Sequence, residues 1–258
     1  MTILSIITPT FNRAYELNNN LSSVSSQSFK NIEHIIIDNL STNGTKQIIE
    51  DYKNSVSYPV IYVREKDSGI SNAMNKGIKI SQGIWIHILN SDDYFYSNSC
   101  LEEIFKLDNL HQYNVLACSI IVKNAKAGNY SNPWIPEYNK KNEHYNFPHP
   151  GLIIKKSFYE SSGFYDERFK IISDAVFDAT NMPKASYKII NNPLVISPDS
   201  GISNRFSLKK SWELFIFTSF LYKGQAKYKI KFNILNFYRD IKLILKDLKI
   251  KINKRAKN

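Results

Sequence analysis

The chain has 258 residues, enough for one large domain or two small ones with a substantial core. Its formal net charge of +11 is unevenly placed: residues 205–258 carry 15 Lys/Arg against 3 Asp/Glu, and residues 1–204 carry 19 against 20. A nearly neutral body argues against nucleic acid as the partner, and a strongly basic tail argues for an anionic surface. Two cysteines, Cys100 and Cys118, with no close spacing, offer neither a zinc site nor a disulfide framework and suit a reducing compartment. Met1 leads straight into Ile3-Leu4-Ser5-Ile6, without a basic segment or cleavage signal, and no apolar run approaches the ~20 residues that span a bilayer. The expected location is cytoplasmic, peripheral on the inner face of the membrane.

In chain order, Leu4–Ile7 is a short apolar run ending in Thr8-Pro9-Thr10-Phe11-Asn12-Arg13, and Pro9 predicts that the chain leaves the sheet there. Leu17, Leu21 and Val24 follow at helical spacing. Ile32–Ile37 reads as a second buried strand, ending in Asp38-Asn39-Leu40-Ser41-Thr42-Asn43-Gly44-Thr45, with a helix over Ile48, Ile49 and Tyr52. Val60–Val63 is a third strand before Asp67-Ser68-Gly69, and a helix carries Ile70, Ala73, Met74 and Gly77. Ile84–Leu89, broken only by His87, is a fourth strand stopping at Asn90-Ser91-Asp92-Asp93. Such alternation predicts a mostly parallel sheet flanked by helices, with ligands beyond the strands' carboxyl ends. Thr8, Asp38, Asp67, Asp92 and Asp93 all fall there. Adjacent carboxylates repel and are costly to bury, whereas a hard divalent cation shared with a phosphate gives them a purpose.

In order, Ser5–Arg13, Ile37–Thr45, Glu65–Gly77 and Leu89–Asp93 resemble the motifs of glycosyltransferase family 2. The third resembles the bacterial branch that builds colanic acid, O-antigen and capsule. The resemblance implies an α/β, GT-A type (Rossmann-like) domain over 1–204, with a nucleotide-sugar half at 1–95, an acceptor and catalytic half at 96–204, and a basic helical tail at 205–258. It implies that Ser91-Asp92-Asp93 acts as the family's DXD motif, with Asp93 on Mn²⁺ or Mg²⁺ and Asp92 on the metal, ribose or sugar. Thr8 and Asp38 would border base and ribose, and Asp67 would line the pocket. Asn39 stands where the family often has a second carboxylate for the uracil imide N–H; an Asn carbonyl can accept that bond as well, so UDP-sugar remains the expected donor.

Val115–Val122 reads as a strand and residues 124–138 as a loop or hairpin. His149 precedes another strand and stands as either a diphosphate contact or a structural histidine. Gly163-Phe164-Tyr165-Asp166-Glu167-Arg168-Phe169 resembles a family turn and reads as structural. In Ile172-Ser173-Asp174, Asp174 is the expected base of an inverting displacement, with Asp178, one helical turn on, its competitor. Ser200–Asn204 resembles an element of the same branch and stands as either a loop closing over the donor phosphates or a simple turn. Beyond it, lysines surround an apolar face of Phe237, Ile241, Ile244, Leu245 and Leu248, which suits anionic inner-leaflet lipid. The expected function is transfer of a hexose or N-acetylhexosamine to a lipid-linked surface glycan. The rivals are a nucleotidyltransferase, which would show a glycine-rich phosphate loop after the first strand, and a non-catalytic scaffold.

Overall fold

The structure is a computed structural model, and it describes residues 2–139, 144–199 and 208–221. Its elements are β1 (Leu4–Thr10), α1 (Ala14–Ser25), β2 (Ile32–Asp38), α2 (Thr45–Ser55), β3 (Val60–Arg64), α3 (Ile70–Ile80) and β4 (Trp85–Ile88). They continue with β5 (Tyr94–Phe95), α4 (Cys100–Phe105), β6 (Val115–Lys123), β7 (Glu137–Asn139), β8 (His144–Asn146) and β9 (Leu152–Lys155). α5 (Lys156–Ser162), α6 (Ser173–Asn181), β10 (Tyr187–Pro198) and α7 (Leu208–Leu221) complete the described order.

Eight strands form one sheet in the order β3-β2-β1-β4-β9-β6-β10-β5. The left half is the parallel, helix-connected block that the apolar runs predict, with β1 buried along its whole length and paired to β2 and β4. β9 runs antiparallel between β4 and β6, and β10 pairs parallel to β6. β6 therefore points the same way as β1 and β4, and one sheet edge collects the carboxyl ends of β1, β2, β3, β4, β6 and β10.

Pro9 does not end β1: the ladder to β2 continues through Pro9↔Ile37 and Thr10↔Asp38. The pairing to β4 stops at Ile7↔Ile88. Alternate residues turn their backbone polar groups to the same neighbour, so Pro9 faces the side where β4 has already ended. No ladder bond is lost, and the proline is tolerated.

Two apolar clusters cover the faces. Leu17, Leu21 and Val24 of α1 pack with Ile6, Ile36 and Leu116 on one face. Met74 and Ile78 of α3 pack with Ile7, Ile86, Phe158, Tyr159 and Phe177 on the other. Gly77 lets α3 approach β1, because any side chain there would collide with Ile7. Ile70 opens α3 as expected of its helix and stands 41% exposed at the first turn.

The chain divides into two compact units, Met1–Asp199 and Ser200–Asn258. In the second, α7 is a 14-residue helix with Trp212 and Phe215 stacked at 5.7 Å. Among the described residues no helix is long and apolar enough to cross a membrane. The Ser200–Asn204 loop and the lysine-flanked face from Phe237 to Leu248 lie outside the described residues.

Candidate active site

The first three strand ends are knitted together by their own side chains. Asp38 is fully buried, and both of its oxygens are taken. Oδ1 accepts the Ser41 N–H at 3.0 Å and the Ser41 hydroxyl at 2.5 Å; Oδ2 accepts the Tyr62 hydroxyl at 2.8 Å and faces Arg64 Nε at 3.6 Å. That set fills the roughly four acceptor positions of a carboxylate, so Asp38 braces the loop from beneath. The Asn12 N–H donates to Ser41 Oγ at 2.8 Å, and Asn12 Oδ1 accepts the Thr42 N–H at 2.9 Å, tying the β1 loop to the β2 loop. Asn12 and Leu40 sit at φ 53° and 57°. A leucine there is a backbone outlier of the kind that surrounding bonds must hold in place.

Asn39 faces Asp67 across these loops. Its Oδ1 accepts the Asp67 N–H at 3.0 Å. A backbone N–H can only donate, so the atom facing it must be the carbonyl oxygen, and the Asn39 –NH₂ has no partner among the described residues. Asp67 Oδ1 accepts the Gly69 N–H at 2.9 Å, which leaves Oδ2 without a partner among them. Burial holds the Asp67 carboxyl above its ordinary range, against the Gly69 bond and Lys76. Thr8 lies deeper than the pocket: it is fully buried, with its hydroxyl 2.9 Å from His34 Nε2.

Asp92 and Asp93 follow β4 as a tight turn, with the Asp93 N–H donating to the Asn90 carbonyl at 2.9 Å. Asn20, buried on α1, fixes the turn by donating to the Asn90 and Asp93 carbonyls at 2.9 and 3.1 Å. Asp93 is 2% exposed, Asp92 is half-buried, and the Asn90 amide donates to Asp93 Oδ2 at 3.0 Å. Burial first, then the Asp92 charge, push the Asp93 carboxyl up to about 7, against hydrogen bonds from Ser197 and Asn90. A divalent cation would reverse that balance. Among the described residues no three His, Cys, Asp or Glu form a metal cluster. Two carboxylates with positions left for a substrate's phosphates is nevertheless a donor set that Mg²⁺ and Mn²⁺ accept, so the residues fit such an ion.

A second polar cluster gathers around Asp174 and His149. Asp174 is half-buried in the first turn of α6, its Oδ1 accepting the Ala175 N–H at 2.8 Å. The N-terminal turn of a helix favours a negative charge. Burial lowers the His149 imidazole while nearby Asp174 pulls it the other way. His149 Nε2 is 2.7 Å from the Tyr165 hydroxyl, which is 3.0 Å from that of Tyr159. Asp178 buries an oxygen without a partner among the described residues, and burial and Asp174 raise its carboxyl well above the ordinary range. Burial beside Asp174 thus favours the protonated form of Asp178, one helical turn on.

Sequence reasoning missed three contributors. Phe11 stands 55% exposed at the end of β1, an apolar face beside the Asn39 loop, and Thr10 buries an unpartnered hydroxyl there. The Gly163–Phe169 turn, read as structural, is bonded to α3: Glu167 accepts from Asn72 and Asn75 at 2.9 and 3.0 Å, and Asn75 also clamps Tyr165 through both its N–H and its carbonyl. Asn72 and Asn75, three apart on one helix, were the available signal. Asn20, polar on the core face of α1, was another.

Residues 5–180 match the glycosyl transferase family 2 sequence family. A PGL/p-HBAD biosynthesis glycosyltransferase of Mycobacterium bovis is 23% identical over 176 residues, 68% of each chain. A teichuronic acid biosynthesis glycosyltransferase of Bacillus subtilis is 37% identical over 92 residues, 35% of this chain and 36% of that one. Among solved structures, S. aureus TarS 1-349 in complex with UDP-GlcNAc superposes with a TM-score of 0.68 at 17% identity, covering 90% of this chain and 70% of that one. A mannosyltransferase of Pyrobaculum calidifontis with GDP-Man and Mn²⁺ gives 0.56 at 15% identity, covering 87% and 63%. The match spans more than half of the chain and the fold agrees with it: this protein belongs to glycosyltransferase family 2 and is a glycosyltransferase.

Proposed function

We propose that the enzyme moves a hexose or N-acetylhexosamine from a UDP-sugar to a hydroxyl of a lipid-linked surface-glycan precursor, with inversion. The observation that carries this reading is the shared carboxyl edge after β2, β3 and β4 that bears Asn39, Asp67, Asp92 and Asp93, and Asp174 at the start of α6 is read as the base. Relatives solved with UDP-GlcNAc and with GDP-Man and Mn²⁺ support a nucleotide-sugar donor. The free Asn39 –NH₂ and the free Asp67 oxygen give an adjacent donor and acceptor, and uracil offers a carbonyl beside an imide N–H. Phe11 supplies a face for the base.

Asp92 and Asp93 would hold the Mg²⁺ or Mn²⁺, whose charge neutralises the departing diphosphate when bound. In one displacement the acceptor oxygen attacks the anomeric carbon, Asp174 takes its proton, and the bond to the diphosphate breaks with its electron pair leaving on the phosphate oxygen. Peripheral attachment to the inner leaflet is read from the 15 lysines and arginines of 205–258.

The test separates binding from chemistry. Asp174→Asn should lower turnover by about 10²- to 10⁴-fold while leaving UDP-sugar affinity within about twofold. Near-native turnover in that variant contradicts the assignment of the base.

A further inference from the structure

The far half of the carboxyl edge carries a feature that the donor side does not use. β9 lies beside β6 only along Val115–Ala117. Beyond that point the lane is taken by residues 130–134, running antiparallel to the end of β6 through Ile120↔Trp134 and Lys123↔Tyr130. Trp134 and Ile120 exchange both backbone hydrogen bonds, at 2.8 and 3.2 Å. The Ser131 N–H donates to the Val122 carbonyl at 2.9 Å, and its hydroxyl oxygen accepts the Val122 N–H at 3.0 Å. Asn124 closes the connecting turn by accepting the Lys126 and Ala127 N–H groups at 3.0 and 2.7 Å. Pro133 and Pro136 restrict the strand further. The ribbon is held at both ends.

This well-fixed ribbon exposes large side chains: Tyr130 at 54%, Trp134 at 42% and Ile135 at 50%. The phenol of Tyr94, the residue directly after Asp93, lies within electrostatic reach of the Tyr130 phenol. Lys123 Nζ lies 5.8 Å from the Tyr130 ring centroid. Exposed aromatics on rigid backbone bind at little entropic cost, and these carry hydroxyl and ammonium groups at their rims.

We infer that residues 130–134, with Tyr94 and Lys123, form the seat of the acceptor's sugar ring; this rests on the reading of the acceptor as a glycan. Three observations select a carbohydrate. The Asp92–Asp93 turn lies between the Asn39–Asp67 loops and this ribbon, so a second substrate meeting the donor's sugar approaches from here. A pyranose presents an apolar C–H face ringed by hydroxyls, which matches an aromatic face flanked by the Tyr94–Tyr130 hydroxyls and the Lys123 ammonium. The nearness of Tyr130 to Tyr94 also places the ribbon beside the turn that would hold the donor. A contact with bilayer would instead leave those hydroxyls serving no purpose.

The full-length protein is mixed with UDP and Mn²⁺, and saturation transferred from its aromatic protons is read on methyl glycosides of glucose, galactose, mannose, N-acetylglucosamine and N-acetylgalactosamine. At least one should bind with an affinity on the order of millimolar. Trp134→Ala should weaken it about tenfold or more, as loss of a central aromatic anchor does, with UDP affinity within about twofold. Trp134→Phe should restore most of the loss, and Tyr130→Phe should show a smaller one. Because Trp134 and Tyr130 are exposed, these variants keep the core intact. The inference is overturned if none of the glycosides binds, or if Trp134→Ala and Tyr130→Ala bind them as the wild type does. It is equally overturned if Trp134→Ala lowers partition onto phosphatidylglycerol vesicles and leaves glycoside binding unchanged. Failure of UDP to bind the wild type strikes the donor assignment alone, and the glycoside titration still decides this one.

Discussion

The two sides of the carboxyl edge are built on opposite principles. On the donor side, Asp38 spends both oxygens on Ser41, Tyr62 and Arg64, and Asn12 stitches two loops together. Most polar groups there are satisfied by protein, and those left over, the Asn39 amide and one Asp67 oxygen, are few and directional. On the catalytic side, Asp178 buries an oxygen without a partner among the described residues one turn from Asp174, and an aromatic hydroxyl bonds His149 with the Asp174 charge nearby. Saturated bonding fixes a shape for a ligand to enter. Burial beside Asp174 instead holds the Asp178 carboxyl well above its ordinary range.

Breaking the donor side should cost stability first. Asp38→Ala leaves Ser41, Tyr62 and Arg64 without their shared acceptor and should destabilise by about 3 kcal/mol, a melting temperature roughly 10 °C lower. A variant that melts like the wild type would mean the loop is not held from beneath. A smaller effect sharpens the base assignment. Asn39→Asp keeps the acceptor for the Asp67 N–H but replaces a donor with a second carboxylate oxygen, and titration should show UDP bound about tenfold more weakly. Unchanged or tighter UDP binding would show that the base does not use the Asn39 amide as donor.

The smallest effect belongs to the catalytic side. Asp178 has a folded-state carboxyl raised well above its unfolded value. Its contribution to stability is therefore fully present below the unfolded value near pH ~4 and is lost as pH rises toward the folded one. Asp178→Asn removes that loss, so its melting temperature relative to wild type should climb by a few degrees between about pH 4 and pH 8. A difference independent of pH would show that Asp178 ionises as freely in the fold as outside it.

Much of the donor side was legible because its signals are local. Apolar runs ending in Asp38, Asp67 and Asp92-Asp93 give strand, loop and chemistry within a few residues. Pro9 misled because a proline's fate in a sheet depends on which neighbour is present, and β4 happens to end beside it. Glu167 gripping Asn72 and Asn75 joins residues more than ninety apart in sequence, and no periodicity records that. The same holds for the Trp134 ribbon, whose role in the sheet exists only because β9 is short. Asn39 is the instructive middle case. Its identity as a departure was visible, but the direction of its hydrogen bond was decided by the Asp67 backbone across the loop.

The central claim is that the Asp92–Asp93 turn and the loops of β1–β3 hold a nucleoside diphosphate through a divalent cation. Calorimetric titration of UDP into the wild type and Asp93→Ala, each with and without Mn²⁺, tests it most directly. The account predicts Mn²⁺-dependent binding in the wild type that Asp93→Ala abolishes, with ADP, CDP and GDP weaker than UDP. Equal UDP binding by both proteins, or binding indifferent to Mn²⁺, would contradict it.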